Sequence, residues 1–158
     1  MKKLLIAAAV VALSSGSAYA ATATGSASAT IIAPISITHT GGASLNFGTF
    51  DASTGGSVTV TTAGVGSAGG SVNFVSGSAN SADSFAVSGD GTRGFTIATT
   101  GGSVTSGANS MAFTTTAPAT GTLSGGAATI NVGGTLTVAS GQAVGSYTGS
   151  YTATVNYQ

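Results

Sequence analysis

Apolar and polar residues alternate along much of this chain, in short runs separated by glycine-rich segments. Alternation with a period of two is typical of β-strands that have one buried and one solvent-facing side. No stretch shows the spacing of an amphipathic helix. The pattern predicts strands at residues 21–31, 35–38, 45–50, 57–62, 71–76, 84–88, 94–99, 110–115, 127–132, 134–138 and 147–157.

Glycine-containing pairs mark the predicted turns, because glycine adopts positive φ at little steric cost. They lie at residues 41–42, 55–56, 69–70, 90–91, 101–102, 125–126 and 133–134. Many short strands punctuated in this way predict an all-β fold, an immunoglobulin-like β-sandwich. The pairs recur irregularly and without a common repeat, which argues against a β-solenoid.

The first residues have the pattern of a secretory signal peptide. Lys2 and Lys3 precede an apolar run at residues 4–13, and an A-x-A cleavage site ends at Ala20. The apolar run is shorter than the roughly 20 residues that a membrane-spanning helix needs. We therefore expect residues 1–20 to be removed on export and the rest to be released without membrane insertion.

Charge is scarce after the predicted cleavage site. The charged residues there are Arg93, Asp51, Asp83 and Asp90, so the net charge is near −2. The sequence has no Glu or Cys, and no Lys after the cleavage site. Nucleic acids and anionic lipids are bound through several basic side chains, and one arginine cannot supply them. The absence of cysteine also excludes disulfides and thiol chemistry. A surface with so little charge offers little repulsion between copies, which favours self-association.

No catalytic motif is evident. His39 is the only histidine, and we expect it to be a surface residue. No serine lies in a G-x-S-x-G elbow, and the aspartates are too scattered for a calcium loop or a glycosidase pair. Asp90-Gly91 fits a hairpin turn, with Arg93 near enough for a surface ion pair. The sequence predicts no catalytic residue, no cofactor and no metal, hence no enzyme.

The final strand alternates without a break from Tyr147 to the C-terminus. Its penultimate tyrosine, Tyr157, and a glycine fourteen positions from the end, Gly145, resemble those of chaperone-usher pilin subunits. The segment Leu-Asn-Phe-Gly-Thr-Phe at 45–50 resembles the early LxFGxY strand of the spore-coat-U and archaic branch. Both ends also resemble an uncharacterised family of small secreted β proteins of Gram-negative bacteria.

The resemblance implies a mechanism of assembly. In such pilins the sandwich lacks one strand, which a periplasmic chaperone lends until another subunit replaces it at the outer-membrane usher. The implied partners are other copies of the chain, the chaperone and the usher, and the route leads through the periplasm to a cell-surface fibre. The residues expected to border the open groove are Gly145, Tyr147, Tyr151, Ala153, Val155 and Tyr157.

The opposite end offers a candidate donor strand. Residues 21–33 precede Pro34, which interrupts strand pairing, and in extended form they reach about 40 Å. The small residues of one face would enter the groove of a neighbour; they are Ala21, Ala23, Gly25, Ala27, Ala29 and Ile31. The alternative is that this extension pairs within its own domain. We expect a signal peptide (1–20), an N-terminal extension (21–33) and a β-sandwich domain (34–158).

These observations predict a structural subunit of a pilus-like fibre, assembled by donor-strand exchange and serving adhesion or biofilm formation. The alternative is a monomeric or surface-attached adhesin that binds a glycan or a solid surface through a flat, threonine-rich face. Thr148, Thr152 and Thr154 in the last strand point to that alternative.

Overall fold

The computed structural model describes residues 19–158. The predicted signal peptide, residues 1–20, therefore lies outside the described residues except for its last two positions. The chain divides into two units between Ile31 and Ile32, and each is described by itself. The described residues form strands and loops without a helix, so none of their segments is a helix that could cross a membrane.

The regular structure lies in the unit from Ile32 to the C-terminus. Its strands are β1 (Ser36–His39), β2 (Phe50–Val60), β3 (Gly66–Phe74), β4 (Asp83–Ser88), β5 (Gly94–Thr100), β6 (Gly102–Ser106), β7 (Asn109–Thr116), β8 (Thr120–Thr122), β9 (Ala127–Val138), β10 (Thr148–Gly149) and β11 (Thr152–Tyr157).

The strands form two antiparallel sheets, and the larger one is curled. Its order is β1-β4-β9-β7-β6-β10, with the β2–β3 hairpin attached to β9. The smaller sheet has the order β11-β5-β8. The predicted all-β, sandwich-like fold class is confirmed. Strands β1 and β11 are outer strands of different sheets, which matters for the site below.

Strand β9 connects the two halves of the larger sheet because its neighbours change along its length. Residues 127–132 pair with β4, whereas residues 134–138 pair with β2 and residues 133–136 with β7. Each half has its own core. One lies between the two sheets, formed by Val87, Phe95, Leu123, Ile130, Val132 and Val155. The other lies inside the curl, formed by Phe47, Val58, Val60, Val72, Met111, Phe113, Leu136 and Val138.

Three of the predicted turns are wrong, because residues 55–56 lie within β2, residues 69–70 within β3, and Gly133-Gly134 lie buried within β9. A Cβ on Gly133 would collide with the Val60 carbonyl oxygen, and one on Gly134 with the Thr114 carbonyl oxygen. Neighbouring strands thus approach so closely that only glycine fits. Gly133 and Gly134 therefore lie inside a strand at a point of close approach between neighbouring strands, although the sequence pattern predicted a turn there.

Three other predicted strands also differ from the structure. Residues 45–49 contain only an isolated bridge between Asn46 and Ser81, and β2 begins at Phe50, the last residue of the predicted strand. The last strand is divided into β10, which pairs with β6, and β11, which pairs with β5, so the chain changes sheets at residues 150–151. The extension at residues 19–31 contains no strand, and all of its residues are exposed.

Candidate binding cleft

A deep cleft of about 1570 Å³ opens into the curled half of the domain. One side, here called the first flank, is formed by residues 43–53, which follow β1 and lead into β2. The other side, the second flank, is formed by residues 142–151, which lead into β11. The flanks therefore extend from the two outer strands, β1 and β11.

The first flank is fixed by the segment at residues 78–81. Asn46 exchanges backbone hydrogen bonds with Ser81, N to O at 2.9 and 3.1 Å. The side chain of Asn80 donates to the Phe47 carbonyl oxygen at 2.7 Å, and Thr49 N donates to Ser78 Oγ at 2.9 Å. Gly48 has a φ of 79°, and a Cβ there would collide with the Ser78 hydroxyl. Only glycine suits this position.

The second flank has fewer internal bonds. Tyr147 closes it locally, since its hydroxyl accepts from Gln142 Nε2 at 2.8 Å and donates to the Ala143 carbonyl oxygen at 2.7 Å. Within the described chain, residues 143–146 take part in no backbone–backbone hydrogen bond. All four of these residues are exposed, and the Val144 side chain lies fully in solvent. This flank offers free backbone donors and acceptors along the cleft.

The base of the cleft is apolar and aromatic. Phe47 packs edge-on against Phe113, with ring centroids 5.9 Å apart, and Phe113 packs against Tyr151 at 6.2 Å. Tyr151 then packs against Phe85 at 6.0 Å. Aliphatic side chains complete the base, namely Val104, Met111, Leu136 and Val138. The base is therefore the wall of the curled core, open to a partner on one side.

A polar cluster lies at one end of this aromatic row. Asp83 is 5% exposed, and its Oδ1 accepts from His39 Nε2 at 2.7 Å and from Ser84 N at 2.8 Å. Its Oδ2 accepts from the Tyr151 hydroxyl at 2.8 Å. His39 ends β1, Asp83 begins β4 and Tyr151 immediately precedes β11. One buried carboxylate at the start of β4 thus contacts a side chain at the end of β1 and another immediately before β11.

Burial raises the pKa of the Tyr151 hydroxyl well above its usual range, and the hydrogen bond and the negative charge of Asp83 raise the pKa further. A phenolate beside a buried carboxylate would leave two like charges in a poorly solvated place. Tyr151 therefore remains a neutral hydrogen-bond donor to Asp83.

The His39–Asp83–Tyr151 cluster was not predicted from the sequence. The expectation of an exposed histidine is correct only in part, since the His39 side chain is 49% exposed but pairs with a buried carboxylate. Asp83 follows no motif and lies 44 residues from His39, so no local spacing points to the pair. The predicted Asp90–Arg93 ion pair is present, with Oδ2 and Nε 2.9 Å apart.

The predicted groove residues fall into two groups. Gly145, Tyr147 and Tyr151 line the cleft. Ala153, Val155 and Tyr157 lie further along in β11, where Val155 and Tyr157 belong to the core between the sheets. The structure thus brings half of the predicted set to the cleft.

The predicted donor residues lie in the other unit and are exposed without exception. They are Ala21, Ala23, Gly25, Ala27, Ala29 and Ile31. Ile31 is 98% exposed, which is unusual for a large apolar side chain.

The described residues contain no group of three or more His, Cys, Asp or Glu side chains that could hold a metal ion. Fold and site together define an all-β, sandwich-like domain with an open cleft. Residues 35–157 match the family described as "Domain of unknown function (DUF4402)", and the chain belongs to that family. No curated protein and no solved structure matches the chain significantly.

Proposed function

We propose that this chain is a structural subunit of an extracellular pilus-like fibre, and that the cleft receives a strand donated by another copy. The single observation that supports the proposal most strongly is the cleft lined by residues 43–53 and 142–151. Small-molecule pockets usually enclose about 300–1,000 Å³. A cleft of about 1570 Å³ is larger than that range and suits a polypeptide segment.

The backbone of the second flank supports strand addition. An added strand gains affinity from main-chain hydrogen bonds and specificity from alternate side chains that enter pockets. Residues 144–146 offer backbone groups that form no hydrogen bond within the described chain, and the adjoining strand β11 is paired on one side only. The apolar base would receive the inward side chains of the added strand, with Met111, Phe113 and Leu136 beneath it.

The N-terminal extension has the properties of a donor. Residues 21–31 alternate between small apolar and hydroxyl side chains, are exposed throughout and form no strand in the described chain. Their alternate faces would let alanines enter the cleft while threonines and serines remain in water. Together with the pilin-like residues Gly145 and Tyr157, this favours donor-strand exchange, with a periplasmic chaperone and an outer-membrane usher as partners and the cell surface as destination.

Electron microscopy and boiling-resistant ladders on gels test the proposal, with the exported protein compared to a variant lacking residues 21–33. We expect thin fibres and ladders only with the intact chain. A synthetic peptide of residues 21–33 should bind the deletion variant and raise its melting temperature, whereas a peptide of the same composition in scrambled order should not. Monomers in both samples, with no peptide binding, would exclude donor-strand exchange.

A second candidate function rests on the outer face of the smaller sheet. Six exposed threonines lie on this face, and the adjacent exposed positions are Ala98 and Asn156, without any charged residue. The threonines are Thr96, Thr100, Thr120, Thr122, Thr152 and Thr154. A flat hydroxyl-rich face suits an adhesin that binds a glycan or a solid surface. Replacing Thr96 and Thr154 with lysine should abolish surface adsorption but leave polymerisation intact.

A further inference from the structure

The β3 strand has a free edge of unusual character. Gly66–Phe74 pairs with β2 along one side, and no other strand of the described chain pairs with its opposite side. Proteins usually protect such edges with charged residues, proline or short length. β3 spans nine residues and contains neither a charged residue nor a proline. Its irregular position is Gly70, which has a φ of 72° and pairs with Gly56 at the register shift of β2. On either side of Gly70 the edge therefore carries no charge or proline that would block pairing.

Hydrogen bonds at the two ends of β3 show which backbone groups face the free edge. The Val65 carbonyl oxygen accepts from Thr61 N at 3.0 Å, and Val75 N donates to Thr49 O at 3.1 Å. Both bonds point towards β2. Because bonding direction alternates along an antiparallel strand, the even-numbered residues between them direct their backbone groups outward. These are Gly66, Ala68, Val72 and Phe74, whereas Gly70 between them has a φ of 72° and is not extended.

Two exposed valines flank the same strand. Val65, immediately before β3, is 63% exposed, and Val75, immediately after it, is 46% exposed. Both positions are equally distant from Gly70, the central residue of β3. In an antiparallel pairing with a second copy about a two-fold axis at Gly70, Val65 of each copy lies opposite Val75 of the other. The backbone groups of even-numbered residues in one copy then face those of even-numbered residues in the other copy, as an antiparallel hydrogen-bond ladder requires.

We propose that the β3 edge is a self-association surface, at which two copies pair β3 to β3 in antiparallel orientation about a two-fold axis at Gly70. The pairing satisfies the free backbone groups, covers both valines and meets no opposing charge. Such an isologous interface uses the same patch on both copies. No β3 residue lines the cleft, so this surface stays available when the cleft is filled. In a fibre it would join subunits laterally, and it does not depend on strand donation.

Cysteine cross-linking tests the register directly, because the chain has no native cysteine. Opposed residues of a non-hydrogen-bonded antiparallel pair have Cα atoms about 4.5 Å apart, which is within the range that a disulfide bridges. We expect a disulfide-linked dimer when full-length V65C and V75C variants are mixed and oxidised. Either variant alone should give at least about 10-fold less product, equivalent to about 1.4 kcal/mol.

A mixture of V65C and V144C is the matched control, since Val144 is an exposed valine too but lies on the second flank of the cleft. That mixture should give only the background yield. Equal yields from V65C alone and from the V65C/V75C mixture would overturn the proposed register. No cross-link in any mixture would overturn the interface itself.

A charge variant supplies a second measurement. Ser71→Lys in both cross-linking partners would place two like charges on either side of the proposed two-fold axis. We expect the cross-link yield to fall several-fold and to recover partly at high salt, since surface charges are screened within about 3 Å at 1 M salt. Thr129→Lys adds the same charge at an exposed position in the part of β9 that pairs with β4, away from β3, and should leave the yield unchanged. An equal fall in cross-link yield with both lysine variants would contradict the location of the interface at the β3 edge.

Discussion

The hydroxyl of Tyr157 donates a hydrogen bond to the carbonyl oxygen of Ala33 at 2.9 Å. The same hydroxyl accepts from Asp90 N at 2.6 Å. Tyr157, the penultimate residue of the chain, thus holds Ala33, the last residue of the N-terminal extension, through a hydrogen bond. If residues 21–33 are donated to a neighbour, Tyr157 fixes the position from which they leave the domain.

Tyr157→Phe should loosen this attachment. The substitution removes one hydroxyl that makes two hydrogen bonds, so we expect unfolding free energy to fall by about 1–2 kcal/mol. Amide exchange at Asp90 should accelerate because its N–H loses its acceptor. Tyr147→Phe is the control, since the Tyr147 hydroxyl bonds only within the second flank. Unchanged exchange at Asp90 in the Tyr157 variant would contradict the role assigned to this hydroxyl.

Asp83→Ala should be among the most destabilising single substitutions in the domain. It leaves the half-buried Tyr151 hydroxyl and Ser84 N without an acceptor, which costs about 3 kcal/mol. Asp90→Ala removes the carboxylate of an exposed ion pair and should cost about 0.5 kcal/mol. Urea unfolding of both variants measures the difference. Equal losses would show that Asp83 contributes no more than a surface charge.

Alkaline pH should destabilise the domain through Tyr151. Its folded-state pKa lies above the ordinary value of 10.0, because of burial and the neighbouring Asp83, so the folded protein holds this proton more tightly than the unfolded chain does. The resulting stability is complete below pH 10 and is lost as the pH rises above it. Urea unfolding at several alkaline pH values should show a falling unfolding free energy. Tyr151→Phe should flatten that dependence, and an unchanged slope would contradict the assignment.

Gly48→Ala should damage the first flank. Gly48 combines a φ of 79° with a site where a Cβ would collide with Ser78 and Asn80. Gly42→Ala is the matched control, because Gly42 has a φ of 81° but open space around it. We expect the Gly42 variant to lose about 1 kcal/mol from backbone strain alone, and the Gly48 variant clearly more. Thermal unfolding compares them, and equal losses would exclude a steric contribution.

The sequence predicts the fold class well because alternation records which side of each strand is buried. It fails where one residue type serves two physical purposes. Glycine pairs indicate turns, yet Gly133 and Gly134 lie inside β9 because adjacent strands leave no room for a Cβ. The alternation from Tyr147 to Tyr157 likewise continues while the chain passes from one sheet to the other. A binary pattern records side-chain direction but not the identity of the pairing strand.

The cleft is only partly predictable for a related reason. Gly145 and Tyr147 were found through their positions near the C-terminus, which are local features of the sequence. His39 and Asp83 meet because β1 pairs with β4 over a separation of 44 residues. Long-range pairing of this kind leaves no trace in local spacing. A lone histidine and a lone aspartate therefore reveal their relationship only in the folded chain.

The face of the N-terminal extension that enters the cleft can be tested with one pair of substitutions. On the proposed alternation, Ala27 faces the cleft of the neighbouring copy and Ser28 faces water. Ala27→Arg would bury an unpaired charge against an apolar base at a cost of several kcal/mol, and assembly should be lost. Ser28→Arg leaves the same charge in solvent and should assemble normally.

Both side chains are exposed before assembly, so the unfolding free energy of the monomer should be the same in both variants. Loss of fibres with Ser28→Arg but not with Ala27→Arg would reverse the assigned faces. Fibres from both would mean that the extension does not enter the cleft.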